Sequence, residues 1–214
     1  RKENEEKMKL LIAIPALDYI NVEFMDCLVK LVVRLKNDGV DFEVKILSGT
    51  LVYAARDKLA HHAMNNQFTH VLWLDADMVF TDDLLEDLMF SGKEFVTGIC
   101  HARRKPYMPC FFKSLNPVER FDEYPTNDIF EVAGCGMACV LMKTSILYEV
   151  MLRFGTCFCP TPELGEDLAF CDRARQMRHK IYADPSVVIG HIGHVTIYPD
   201  DYREYMAKIG AVKC

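Results

Sequence analysis

At 214 residues, with 50% hydrophobic and 26% charged side chains, the chain has the balance of a soluble globular protein with ample core. A formal net charge of −6 counts against a broad nucleic-acid surface. The nine cysteines are an odd number with no Cys-x-x-Cys pair, which sets aside a zinc ribbon and favours a reducing compartment. Cys157, Cys159 and the distant His179 form the nearest approach to a metal cluster, but the two thiols read first as small buried hydrophobes.

Residues 1–7 are polar and charged and read as a tail or expression remnant, leaving one domain over 8–214. The apolar run Leu10 to Leu17 is broken by Pro15 and is too short to cross a bilayer, so no membrane segment is expected. Lys9 to Ile14 is a predicted strand stopped by Pro15. Phe24, Cys27, Leu28, Leu31, Val32 and Leu35 recur at helical spacing, with Gly39 as terminator. Phe42 to Leu47 alternates as a strand, and Val52 to Asn66 reads as a helix. The apolar run Val71-Leu72-Trp73-Leu74 reads as a strand buried on both faces, followed at once by Asp75-Ala76-Asp77. Thr81-Asp82-Asp83 opens an acidic helix, and Glu94 to Cys100 is a further strand.

The second half is less regular. Pro106, Pro109, Pro117 and Pro125 break residues 101 to 128 into loops and short strands. Ile129 to Ala133 and Met137 to Met142 are predicted strands around Gly134-Cys135-Gly136. Thr144 to Arg153 and Gly165 to Arg178 are helices, the latter with Leu168, Cys171, Ala174 and Arg175 inward. Ile181 to Ala183 and Val187 to Ile189 are short strands about an Asp184-Pro185 turn. Alternating strands and helices imply an α/β fold with a mostly parallel central sheet and helices on both faces. Ligands in such sheets gather at the carboxyl ends of strands, which is where Asp75 and Asp77 stand. Paired carboxylates there suit a hard divalent cation bridging to phosphate. They would equally serve as the polar edge of the next helix.

Asp75-Ala76-Asp77 after a buried strand, then Gly165-Glu166-Asp167-Leu168, then Gly190-His191-Ile192-Gly193 resemble the motifs of GT-A fold nucleotide-sugar glycosyltransferases. The likeness is to family-2-type enzymes, including small stand-alone forms of bacteria and bacteriophages, and spans about Met8 to Tyr198. It implies metal-dependent transfer of a sugar from a nucleoside-diphosphate sugar, a UDP-sugar foremost, in the cytoplasm of a bacterium or phage-infected host. By this resemblance Asp77 is a direct ligand of Mn²⁺ or Mg²⁺, and Asp75 contacts ribose or metal-bound water. His191 is the late metal ligand. His194 is the second candidate, but residues three apart in an extended stretch face opposite sides, and the motif itself favours His191. An imidazole in the donor set fits Mn²⁺ somewhat better than Mg²⁺. Asp167 is the implied general base of an inverting reaction, with Glu166 binding sugar or acceptor; both would also stabilise a helix N-terminus.

Further residues are implied near the donor. Pro15 and Ala16 follow the first strand where the nucleotide base is met, and Arg56 matches an arginine near the nucleotide, or is a solvated helix arginine. Gly134 and Gly136 would permit close approach of the sugar or simply make a tight turn. Arg103-Arg104-Lys105 with Tyr107 would hold diphosphate or acceptor. The acceptor stays open among glycan, protein, small molecule and modified DNA base. Residues 101 to 128 and Thr156 to Gly165 are expected to select it as mobile loops. The alternatives are a non-catalytic nucleotide-sugar-binding protein of the same fold and a nucleotidyltransferase. The latter needs a Gly-rich basic phosphate loop, which Ile14 to Asn21 lacks. A dehydrogenase is excluded by the missing Gly-x-Gly-x-x-Gly.

Overall fold

A computed structural model describes residues 7–193 and 199–208. The chain opens with β1 (Lys9–Pro15), α1 (Val22–Asn37), β2 (Asp41–Leu47), α2 (Val52–Asn65) and β3 (His70–Leu74). A short strand β4 (Met78–Val79) follows, then α3 (Leu84–Phe90) and β5 (Phe95–Ile99). The irregular middle holds β6 (Phe111–Leu115), β7 (Val118–Arg120), β8 (Phe130–Val132) and β9 (Gly134–Cys135). Then come β10 (Cys139–Lys143), α4 (Thr144–Phe154), α5 (Glu166–Gln176), β11 (Ile181–Val188), β12 (Gly190–His191) and α6 (Pro199–Lys208). Among the described residues no helix is long and apolar enough to cross a membrane.

The central sheet has seven strands in the order β2-β1-β3-β10-β5-β11-β8. Strands β2, β1, β3, β5 and β11 run the same way, and β10 and β8 run against them. The mixed α/β, mostly parallel architecture expected from the sequence is therefore present. Alternation along β1 sends Leu10, Ile12 and Ile14 to one face and Leu11 and Ala13 to the other, because successive side chains of a strand point oppositely. The first set packs with Phe24, Leu28 and Leu31 of α1 and Leu84 and Leu88 of α3. The second packs with Leu59 of α2, Leu147 of α4 and Phe170 of α5. Two layers of helix thus bury both faces of the sheet.

Local chemistry explains most boundaries. Helix α1 stops where Gly39 takes a left-handed φ of +71°, and Val40 N donates back to Leu35 O at 3.0 Å. Four expectations are corrected. Asp83 stands at the N-cap of α3 as expected, but its side chain does not cap the helix and lies 3.8 Å from Arg34. Arg175 is exposed on α5, and Ala169 and Phe170 take the inner positions with Cys171 and Ala174. Asp184-Pro185 does not divide two strands but forms a bulge within β11, which pairs Asp184 with Gly98 and then Val188 with Ile99. A proline cannot donate to the ladder, and the missing side chain of Gly98 leaves room for the looped-out residues. Residues 134–135 are a strand rather than only a turn, pairing with Phe112 and Phe111 of β6.

The expected mobile loop from Thr156 to Gly165 is in part pinned. Asp57 of α2 accepts from Thr156 Oγ1 at 2.7 Å, Cys157 N at 3.0 Å and Phe158 N at 2.8 Å. Arg173 then donates to the carbonyls of Cys157 and Cys159 at 2.9 and 2.6 Å. Amide exchange should be slow at residues 157–158 and fast at Gly165. Asp57→Ala should remove that contrast, and equal protection in the two variants would show that the carboxylate anchors nothing.

Candidate active site

The site is built where β3 leaves the sheet. Asp75 N donates to Ala138 O at 2.9 Å, so the start of β10 fixes the first carboxylate at the strand end. The chain then turns through Ala76, whose carbonyl accepts from Asn21 N at 3.3 Å at the head of α1. Beyond the turn, β4 pairs antiparallel with β12, setting Gly190 against Val79 and His191 against Met78. A Cβ on Gly190 would stand 3.2 Å from Val79 Cβ, so glycine permits this close pairing. Gly193 plays the same part for the next segment: a Cβ there would lie 3.2 Å from both Cβ and O of Arg103. The two glycines of Gly-His-Ile-Gly thereby bring the histidine and a basic loop together beside the Asp-Ala-Asp turn.

Asp77 Oδ2 lies 3.4 Å from His191 Nε2 and also accepts a hydrogen bond from Arg103 Nη1. Partial burial pushes Asp77 up, but His191 and the Arg103 charge outweigh it and hold the carboxyl below its usual range. His191 is raised, first by its contact with Asp77. His191 Nδ1 lies 2.8 Å from His101 O, and a carbonyl can only accept. Nδ1 therefore donates to His101 O, which leaves Nε2 turned toward Asp77.

On the other side of the turn, Arg56 is 3% exposed despite its charge. It is not a solvated helix arginine. Nη2 donates to Asp75 Oδ1 at 2.9 Å, Nη1 to Met137 O at 3.3 Å, and Nε lies 3.8 Å from Glu166 Oε1. Among the described residues that Nε is a buried donor with no hydrogen-bond partner. Burial pushes Asp75 up even though Arg56 opposes it. Arg56→Met should cost about 2–3 kcal/mol in urea unfolding, short of the roughly 3–5 kcal/mol for breaking a fully buried pair. The discount reflects Asp75, whose side chain keeps 30% exposure. An unchanged midpoint would mean that the pair contributes nothing.

Glu166 and Asp167 occupy the first turn of α5 after Gly165. Asp167 Oδ1 accepts from Leu168 N at 2.8 Å, and Oδ2 lies 3.5 Å from where a Cβ of Gly136 would be. Burial raises Asp167, and the neighbouring Glu166 charge raises it further. Gly136 thus borders the carboxylate. Gly134 instead packs on α5 and β6, where a Cβ would stand 3.2 Å from Cys171 Cβ and Leu115 Cδ2.

Pro15 and Ala16 line a cleft of about 600 Å³, open mouth included, with Asp75, Asp77 and Arg103 at its far wall. A second hollow, lined by His101, Tyr107, Ile189, His191 and Gly193, begins on the other side of Arg103. The structure therefore brings together Pro15, Ala16, Arg56, Asp75, Asp77, Gly136, Glu166, Asp167 and His191. His194 lies outside the described residues. Cys157, Cys159 and His179 do not converge: Cys157 Sγ donates to Leu147 O, Cys159 is exposed, and His179 pairs with Glu149 at 3.0 Å. Sequence reasoning gave Arg103 only as one of a basic run and missed its grip on Asp77. It also missed Cys100 and Cys110 at the site's edge, for which no motif exists. The Cys100 Sγ lies 3.7 Å from His191 Nδ1, and the neighbouring Cys110 thiol is lowered to about 7, first by its interaction with Cys100, which is raised in turn.

No protein-family model matches the chain, and no curated protein matches it. The fold is similar to that of the solved crystal structure of A197 from STIV. The TM-score is 0.54 over 87% of each chain, at 17% sequence identity. Likeness at that identity concerns the α/β architecture alone.

Proposed function

We propose that the protein is a metal-dependent glycosyltransferase of the GT-A type that takes its sugar from a nucleoside diphosphate, with Asp167 as general base. The reading is carried by the convergence of three distant segments on one sheet edge: Asp75 and Asp77 after β3, Glu166 and Asp167 on α5, and His191 on β12. Arg56 ties the first two segments together, and the Asp77–His191 contact ties the first to the third.

The donor set suits a divalent cation. Cis ligands of an octahedral ion with bonds of about 2.1 Å stand roughly 3 Å apart, close to the 3.4 Å between Asp77 Oδ2 and His191 Nε2. Among the described residues no third His, Cys, Asp or Glu completes a metal cluster. Asp77 and His191 would then supply two ligands, leaving the remaining positions to phosphate and water oxygens, as hard cations favour. Asp77 and His191 would hold Mn²⁺ or Mg²⁺, which would supply Lewis-acid neutralisation of charge on the leaving diphosphate. Arg56 positions Asp75 and keeps one buried donor facing Glu166. Pro15 and Ala16 shape the wall for the base. The hollow beside His101 and Tyr107 is the acceptor side, and the raised Asp167 accepts the proton of the acceptor hydroxyl.

Thermal shift with nucleoside diphosphates and their sugars, with and without Mn²⁺, tests the reading. At a ligand concentration of about 100 Kd the gain is roughly 2.7 kcal/mol, or about 5–10 °C for a chain of this size. His191→Ala should lose most of the Mn²⁺-dependent part and keep the metal-independent part. His194→Ala should do less. No shift with any nucleotide in any metal would overturn the proposal, and a larger loss in His194→Ala would move the ligand assignment to that residue.

A further inference from the structure

Cys100 and Cys110 have no part in that chemistry, yet they face each other at the base of the segment carrying Arg103 and Tyr107. Cys110 N donates to Cys100 O at 2.9 Å, His101 and Pro109 form an antiparallel bridge, and Ala102 N donates to Met108 O at 2.9 Å. The two cysteines are thus directly opposed across a short ladder. Opposed residues of an antiparallel ladder have Cα atoms about 4.5–5.5 Å apart, inside the roughly 4.4–6.8 Å that a disulfide spans. Both thiols are free. Cys100 is 3% exposed and Cys110 is half-buried, so one thiol is reachable from solvent and the other waits behind it.

Among the described residues the other cysteines lack this arrangement. Cys171 Sγ donates to Cys135 O at 3.5 Å, but both residues are sealed in the core. The Cys159 thiol is exposed and donates to Pro160 O at 3.6 Å.

We propose that Cys100 and Cys110 form a reversible disulfide under a peroxide oxidant, tethering the two ends of residues 101–109. The Cys110 thiolate attacks one peroxide oxygen, the O–O bond breaks, and Cys110 leaves as a sulfenic acid with one water released. The Cys100 sulfur then displaces that hydroxyl as a second water, forming the S–S bond. Two thiols lose two electrons and two protons, and one peroxide becomes two waters. The bond would close the loop that holds Arg103 against Asp77 and reduce its conformational freedom. This inference does not depend on sugar transfer.

The test treats the full chain with hydrogen peroxide, traps remaining thiols with N-ethylmaleimide and maps the peptides by mass. The expected result is a Cys100–Cys110 cross-linked peptide about 2 Da lighter than the pair of reduced peptides, restored by dithiothreitol. The link should be absent in Cys110→Ser, and amide exchange over 101–109 should slow in the oxidised chain. Peroxide consumed as sulfinic acid at Cys110 or Cys159, with no such link, would overturn the proposal. A link that leaves exchange over 101–109 unchanged would overturn the tether.

Discussion

Asp167→Asn is expected to leave nucleotide and Mn²⁺ binding intact while transfer falls by roughly 10²–10⁴, the range for losing a general base. The amide keeps the shape of the carboxylate and its acceptor oxygen for Leu168 N, but takes no proton. Since burial and Glu166 raise Asp167, the wild-type rate should climb with pH through a value above the ordinary carboxylate range. That limb should be missing in the variant. Stability should move the other way. A carboxyl whose folded value lies above its unfolded one gives stability that is full at low pH and lost as pH rises through the folded value. Asp167→Asn removes this loss, so its Tm at neutral pH should hold or rise. Nucleotide binding without any transfer by the wild type would favour the non-catalytic binding protein. Retained anomeric configuration in the product would remove the base role even if Asp167 proved essential.

Much of the frame was legible because it rests on simple periodicities. The buried runs of β1 and β3 and the helical spacing of α1 each report a face that must leave water, and these elements lie where the pattern puts them. The antiparallel course of β10 was not legible, since a five-residue buried run carries no direction. Nor was the β4–β12 pairing, which has two residues on each strand and no period to read. Yet that pairing brings His191 to Asp77, so the nearness of the two motifs rested on resemblance alone. Arg56 shows a further limit. A helical pattern marks an arginine as outward, and only the carboxylates of Asp75 and Glu166, brought from elsewhere in the chain, make its burial tolerable. Gly134 and Gly136 could not be told apart by sequence either. One fits under the side chains of Cys171 and Leu115, and the other borders Asp167.

Asp77→Ala should abolish the Mn²⁺-dependent thermal shift by nucleoside diphosphate while leaving the unliganded fold nearly as stable. The contacts it loses are the partly exposed ion pair with Arg103, whose side chain is 49% exposed, and the approach of His191. Such pairs contribute about 0–1 kcal/mol, so unfolding should scarcely report the change. The same geometry offers a rival account that this variant separates from the metal site. Arg103 already sets a positive charge on Asp77 Oδ2, at the junction of the two hollows, and an arginine fork binds phosphate well without metal. If Arg103 rather than a cation holds the diphosphate, Asp77→Ala frees the guanidinium, and nucleotide binding without Mn²⁺ should strengthen. If the cation is required, binding in Asp77→Ala should fall to the metal-free level of the wild type, and Arg103→Ala should retain a Mn²⁺-dependent shift. Titration of nucleoside diphosphate into both variants, with Mn²⁺ and with chelator, distinguishes the two. Undiminished Mn²⁺-dependent binding in Asp77→Ala would remove the metal site from this edge of the sheet.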